Sequence, residues 1–306
     1  MALSVASIGE CMIELSGSGG DDGGWRLGFA GDTFNTLWAL RALLGDAEAD
    51  YVSAFGDDPF SKDQIRFLEK NAIGVASSPV ISGARPGLYA ITLSGAERSF
   101  TYWRNDAAAR QLATDEAALA KSLNGRSLIY FSGITLAILD PASRAALTKA
   151  LATARNDGAR IAFDANYRPR LWDDPATAKQ AIGAALAVCD IALPTFPDEQ
   201  ALYGDASPVE TAARLQDFGV KEVVVKNGEL PCLIASGETR QELAATQVNA
   251  VDTTGAGDSF NGGYLAARLV GNDPNAAAAR AHRVAGAVVQ VRGALAPFQI
   301  LRAAFG

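Results

Sequence analysis

Histidine is almost missing from this chain: its 306 residues hold one, His282, beside three cysteines and two methionines. A lone histidine leaves Ser-His-Asp or Cys-His chemistry with a single candidate base. His282 lies in Ala-Arg-Ala-His-Arg-Val-Ala, a helical pattern that points to a structural or surface role. The same scarcity argues against zinc. Cys11, Cys189 and Cys232 are odd in number and widely spaced, so they form neither a disulfide framework nor a ligand cluster and point to a reducing compartment. Surplus positive charge is lacking too. With 27 Lys and Arg against 34 Asp and Glu, the net charge of -7 argues against nucleic acid or an anionic membrane as partner. It leaves room for a local basic pocket that binds a small anion. No run approaches the roughly 20 apolar residues of a membrane span. The opening Met-Ala-Leu-Ser-Val-Ala-Ser-Ile-Gly-Glu has no basic lead and reads as a first strand rather than a targeting segment. A soluble, cytoplasmic protein is the expectation.

What the chain does contain is ordinary globular material, 49% hydrophobic and 20% charged, enough for one large core with an appendage or for two domains. Short β-branched runs alternate with longer amphipathic Ala/Leu-rich runs, the pattern of βαβ units around a parallel sheet. Buried strands are expected at Val5–Ile8, Tyr51–Phe55, Leu128–Ser132, Arg160–Asp164, Ile191–Pro194 and Glu222–Lys226, with Cys232–Ala235 antiparallel to the last. Helices are expected near Thr33–Leu44, Ser61–Lys70, Pro141–Asn156 and Ala176–Val188. After Gly257 the chain turns helical almost to its end, with an Ala-rich segment from Pro274 to Val291. Two regions interrupt this alternation. Cys11–Leu15 and Trp25–Phe29 flank a Gly/Ser/Asp-rich turn, and Leu88–Leu93 and Arg98–Arg104 flank Ser94-Gly95-Ala96-Glu97, a four-residue hairpin signal. These four segments predict a small antiparallel sheet over the carboxyl edge of the main sheet, a natural lid. With no repeat, no low-complexity linker and no second core, the chain reads as one domain over residues 1–306, its lid formed by roughly 11–30 and 87–105.

The sharpest signal is Val251-Asp252-Thr253-Thr254-Gly255-Ala256-Gly257-Asp258-Ser259-Phe260-Asn261. Two glycines straddling an alanine let the chain turn tightly into a helix. The amides of Gly255, Ala256 and Gly257, with the positive end of the helix dipole, then suit a transferring phosphoryl group. Asp258 follows at once, placed to accept the proton of an attacking hydroxyl. Gly-Ala-Gly-Asp alone is equally an ordinary helix start. The longer string closely resembles the signature of the ribokinase-like (PfkB-type) carbohydrate kinases. That resemblance implies a three-layer α/β/α sandwich with a small antiparallel β-sheet lid, Asp258 as catalytic base, and an anion hole at Gly255, Ala256 and Gly257. The chain has no G-x-x-x-x-G-K-[ST], so it is not a P-loop kinase.

Further motifs extend the resemblance along the whole chain. Gly28-Phe29-Ala30-Gly31-Asp32-Thr33-Phe34-Asn35 is similar to the family's Gly-Gly-Asp-x-x-Asn substrate motif, with alanine for the first glycine; Asp32 is equally a helix cap. Gly9-Glu10-Cys11-Met12-Ile13-Glu14-Leu15, Phe100-Thr101-Tyr102-Trp103-Arg104-Asn105-Asp106 and Phe163-Asp164-Ala165-Asn166-Tyr167-Arg168 narrow it to kinases of 2-keto-3-deoxygluconate. A sugar acid carries a carboxylate, which the planar fork of arginine binds through two hydrogen bonds. Arg104, on a lid strand, and Arg168, after the Arg160–Asp164 strand, are the candidates. The resemblance places Arg104 with the substrate and leaves Arg168 to substrate or nucleotide phosphates. Gly31, Asp32, Asn35, Tyr89, Tyr102 and Asp258 complete the implied substrate set; the tyrosines also suit plain sheet packing, and Trp103, on the opposite face, is assigned to packing.

For ATP, the resemblance implies Asn166, Arg168, Thr195, Lys226 and Gly228 together with Gly255, Ala256 and Gly257. The family's Asn-x-x-Glu element for hydrated Mg²⁺ aligns with Thr195-Phe196-Pro197-Asp198, matching at neither end, so Asp198 or Glu199 is the implied carboxylate. Arg292-Gly293-Ala294 falls near the monovalent-cation site of related kinases. The implied activity is ATP-dependent phosphorylation of the terminal hydroxyl of 2-keto-3-deoxy-D-gluconate. A kinase for a neutral ketohexose such as fructose is the alternative within the enzyme class, and a non-catalytic sugar-acid sensor the alternative outside it. A homo-oligomer joined through the lid is expected from the unpaired edges of a small sheet.

Overall fold

The computed structural model describes residues 3–17, 24–94, 97–245 and 247–306. Its centre is an eight-stranded sheet in the order Thr239–Leu243, Cys232–Ser236, Glu222–Val225, Ile191–Ala192, Arg160–Asp164, Leu128–Ser132, Ser4–Ile8, Glu48–Val52. From Glu222–Val225 to Glu48–Val52 every pairing is parallel; the two strands beyond Glu222–Val225 run antiparallel, as expected for Cys232–Ala235. Parallel strands need covered faces, and their side chains alternate between two cores. Ile129 and Phe131 point into one, with Leu147, Leu151, Ile182 and Leu215 from helices on that side. Leu128 and Tyr130 point into the other, with Phe34, Leu37, Tyr264 and Val284.

Helices begin where the sequence supplies caps. Asp58, Asp140, Asp174, Ser207 and Asp273 each accept a backbone N–H from the first turn, and each is followed by proline at the first helical position. The expected strand Tyr51–Phe55 divides. Glu48–Val52 joins the main sheet, and Phe55–Gly56 pairs with Val80–Ile81 instead. Ser53 causes the break: its N–H donates to Ser78 Oγ and its hydroxyl to the Gly9 carbonyl, so it leaves the ladder.

The four extended segments do form a small second sheet, ordered Trp25–Ala30, Met12–Gly17, Leu88–Ser94, Glu97–Trp103. It is not wholly antiparallel. Ile13 pairs with Leu88 and Ser16 with Ile91 in parallel register, because both Met12–Gly17 and Leu88–Ser94 run outward and each folds back through its own return strand. Residues 18–23 of the first predicted turn, and Gly95 and Ala96 of the second, lie outside the described residues. Alternation gives this sheet two unlike faces. Met12, Tyr89 and Tyr102 face the main body, whereas Trp25, Leu27 and Trp103 are exposed on the other side. Trp103 therefore turns away from the body as alternation requires, but it is exposed rather than packed.

Candidate active site

The carboxyl ends of Arg160–Asp164, Ile191–Ala192 and Glu222–Val225 open into a cleft of about 1170 Å³, walled on its far side by the small sheet. Every candidate named from the sequence lines it except Glu199. Strand ends and helix starts meet here because parallel βα units point both the same way.

Three helix starts open onto the cleft, at Gly31, Thr195 and Gly255, and none carries the side-chain cap that most α-helices elsewhere use. Gly255 is held at φ 74°, ψ 6°, in the left-handed region, and a Cβ there would lie 2.8 Å from the Cβ of Ala294. Only glycine meets both conditions. The turn launches the helix Ala256–Leu269 with its first amides and positive dipole end toward the cleft, a suitable environment for phosphoryl oxygens.

Asp258 sits in the first turn of that helix. Asn35 Nδ2 donates to its Oδ2 at 2.8 Å, and Thr36 Oγ1 donates to its carbonyl at 3.1 Å, so the helix Asp32–Leu43 fixes it from across the site. Burial raises its pKa to about 7, and the negative charge of Asp32 adds to the shift; Asn35 and Lys226 oppose it. A carboxylate tuned this way is a better proton acceptor than an ordinary aspartate.

Two residues quoted in motifs but given no role turn out to organise the site. Asp164, at the end of its strand, accepts Lys226 Nζ at 2.7 Å and Asn261 Nδ2 at 2.8 Å through Oδ2, and the Asn166 N–H at 3.0 Å through Oδ1. Asn261 also donates to the Tyr130 hydroxyl at 3.1 Å. The available signal was Asn261 itself, one turn beyond Asp258 and flanked along the helix by Phe260, Gly262, Gly263 and Tyr264, all buried. A buried amide there needs partners. Asn166 has φ 35°, a left-handed conformation that asparagine tolerates, and its Nδ2 donates to Asp32 Oδ2 at 2.8 Å. It thus touches an aspartate expected on the sugar side as well as lining the cleft on the side expected for nucleotide.

On the opposite wall, Arg104 is buried and forms a salt bridge through Nη2 with Oε2 of Glu10, which the sequence left unassigned. Burial pushes the Glu10 carboxyl above its ordinary value while Arg104 pulls it down. Tyr89 is also buried, and its hydroxyl donates to Glu14 on the neighbouring strand. Tyr102 lies beside it at 5.8 Å between ring centres and stays half exposed in the cleft. Arg168 differs from Arg104: its side chain is 49% exposed and meets Asp198 at 3.1 Å.

Asp198 and Glu199 part company. Neighbours on a helix point about 100° apart, so Asp198 reaches the cleft while Glu199 is buried against Arg214 at 2.7 Å, within a cluster that includes Asp205. Glu199, expected as a possible metal carboxylate, therefore turns away from the cleft, and of the two only Asp198 lines it. At the far end Gly228, Asn227, Phe260, Ala285 and His282 line the cleft. His282 packs edge-on to Phe260 at 5.0 Å with Nε2 3.3 Å from Cys232 Sγ, so the lone histidine is structural and also part of the cavity wall.

The sequence model of the pfkB family carbohydrate kinases matches residues 2–301. The 2-dehydro-3-deoxygluconokinase of Dickeya dadantii is 42% identical over 309 residues, covering 98% of this chain and 99% of that protein. Among solved structures, the 2-dehydro-3-deoxygluconokinase of Thermotoga maritima superposes with a TM-score of 0.85 at 20% identity, covering 100% of this chain and 99% of that one. A putative ribokinase II from Escherichia coli, in complex with ATP and Mg²⁺, gives 0.83 at 24% identity and 99% coverage of both.

Proposed function

Since this chain belongs to the pfkB family of carbohydrate kinases, we propose that it transfers the γ-phosphate of ATP to the terminal hydroxyl of 2-keto-3-deoxy-D-gluconate, giving 2-keto-3-deoxy-6-phosphogluconate. The observation that carries this reading is one cleft holding Asp258, an uncapped helix start and the buried Arg104. The sugar hydroxyl oxygen attacks the γ-phosphorus, the bond to the β-phosphate oxygen breaks, and the hydroxyl proton passes to Asp258. Developing charge on the phosphoryl oxygens meets the amides of Gly255, Ala256 and Gly257. Arg104 takes the carboxylate of the sugar acid, and Asp32 and Asn35 are the groups offered to its hydroxyls. Tyr89, whose hydroxyl is engaged by Glu14, supports the sugar through its ring, while Tyr102 covers it.

ATP lies along Asn166, Arg168, Thr195, Lys226 and Gly228 with its phosphates at the Gly255 turn. Mg²⁺ retains most of its waters and needs only one or two protein carboxylates, so Asp198 suits it, and the ion would screen phosphate charge. A monovalent cation belongs to the same reading. Asp252 accepts the Thr254 N–H at 3.0 Å and the Gly293 N–H at 2.7 Å, which ties the Arg292–Ala294 segment to the catalytic turn. The exposed Trp25, Leu27 and Trp103 on the outer face of the small sheet support a homo-oligomer formed there.

A coupled ATP assay with Mg²⁺ tests the function, comparing 2-keto-3-deoxygluconate, its galactonate epimer, gluconate, fructose and ribose. Strong preference for the keto-deoxy acids is expected, because a neutral hexose gives a buried arginine no anion to bind. Preference for fructose would overturn the substrate while keeping the kinase chemistry.

A further inference from the structure

Glu10 is a buried acid that the transfer chemistry does not use. It stands between the strands Ser4–Ile8 and Met12–Gly17 at 2% exposure, and its Oε2 accepts from Arg104, which is 94 residues away in sequence. Two glycines make room for it. A Cβ on Gly31 would lie 2.1 Å from the Glu10 carbonyl oxygen, and a Cβ on Gly87 would lie 2.3 Å from Glu10 Oε1. Gly31 leads directly into Asp32 and Asn35, and Gly87 into the strand that carries Tyr89. The two elements thus pack against one residue, Gly31 against its carbonyl and Gly87 against its carboxylate.

An arginine side chain is long and flexible, and an unpaired guanidinium in a buried wall would be strongly unfavourable. The bond to Glu10 removes both problems while using one of five donors; Arg104 Nε finds no hydrogen-bond partner among the described residues. We propose that Glu10 is the positioning residue for substrate selection: it fixes the Arg104 fork in the cleft wall so that the remaining donors meet the carboxylate of a sugar acid. This rests on the sugar-acid reading above. Among the described residues Glu10 makes no hydrogen bond to Asp258 or to the Gly255 turn, so its effect belongs on substrate affinity and not on the transfer step.

The test is steady-state kinetics of wild type, Glu10→Ala, Glu10→Asp and Glu10→Gln with 2-keto-3-deoxygluconate and ATP, alongside thermal melting. Glu10→Asp shortens the reach by one methylene while keeping the charge and removing less volume than Glu10→Ala, so it stays informative even where Glu10→Ala fails to fold. Losing a charge-assisted buried hydrogen bond corresponds to about a ten- to hundredfold rise in KM for the sugar acid. That rise is expected in the Ala and Asp variants, with kcat and the KM for ATP little changed. Glu10→Gln, which keeps an acceptor for Nη2, should recover most of the affinity. A wild-type KM in Glu10→Asp would overturn the proposal, as would equal rises in both KM values or a loss confined to kcat. Failure of wild type to phosphorylate the sugar acid would instead overturn the underlying function.

Discussion

The two walls of the cleft are built from different materials. The edge of the main sheet supplies backbone: an uncapped helix start at Gly255, with Asp258 in its first turn and Asn35 and Thr36 holding it. The small sheet supplies side chains: Tyr89 on Glu14, Tyr102 beside it, and Arg104 on Glu10. In the function proposed above, backbone amides and a carboxylate serve phosphoryl transfer whatever the acceptor, while a fixed guanidinium distinguishes a sugar acid from a neutral sugar. The arginines sharpen the contrast. Arg104 is buried with a buried partner, whereas Arg168 is half exposed and paired with Asp198 at the rim.

If that division of labour is right, changes on the main-sheet wall move turnover and changes on the small-sheet wall move affinity. The largest expected effect is Asp258→Asn, which removes the proton acceptor and should lower kcat by about 10²- to 10⁴-fold with little change in either KM. In wild type the base works only when ionised, so kcat/KM should climb as pH rises through about 7 and then level off. Near-normal turnover in Asp258→Asn, or a flat profile between pH 5 and 8, would dissolve the distinction between the walls. Arg104→Ala should come next, raising KM for the sugar acid about a hundredfold because it leaves Glu10 buried without its cation. Arg168→Ala should have the smaller effect, about tenfold or less, since an exposed ion pair is weak in water. Reversed ranking of these two variants would mean that the rim, not the small sheet, selects the substrate.

The smallest expected effect is on stability. The folded state holds Asp258 at a raised pKa, so between the ordinary carboxyl value and about 7 it binds a proton that the unfolded chain has released. Wild-type stability contributed by this group therefore falls as pH rises through that window. Asp258→Asn escapes that fall. Its melting temperature should exceed that of wild type by a few degrees at pH 8, with the gap closing toward pH 4. An equal gap at both pH values would separate the stability change from the carboxylate's ionisation.

Much of this was legible in the sequence. The Leu128–Ser132 and Arg160–Asp164 strands and the Pro141–Asn156 helix fall where pattern and caps place them, because local chemistry determines them: short apolar, aromatic-containing runs and an Asp-Pro start. The Asp258 turn was legible for the same reason, its glycines and acid being contiguous. Glu10, Glu14, Asp164 and Asn261 had no such advantage. Each acts through a partner 62 to 97 residues away, and no local pattern shows which distant side chain will meet it.

The sequence by itself determined the parallel sheet, the glycine turn with its aspartate, and which tyrosines and arginines would line the cleft. Tertiary structure alone decided that the small sheet pairs its two outgoing strands in parallel, that Asp198 faces the cleft while Glu199 turns to Arg214, and that Arg104 is fixed by Glu10. Periodicity and turn chemistry act between near neighbours along the chain. Burial, charge pairing and a raised pKa depend on what folding brings alongside.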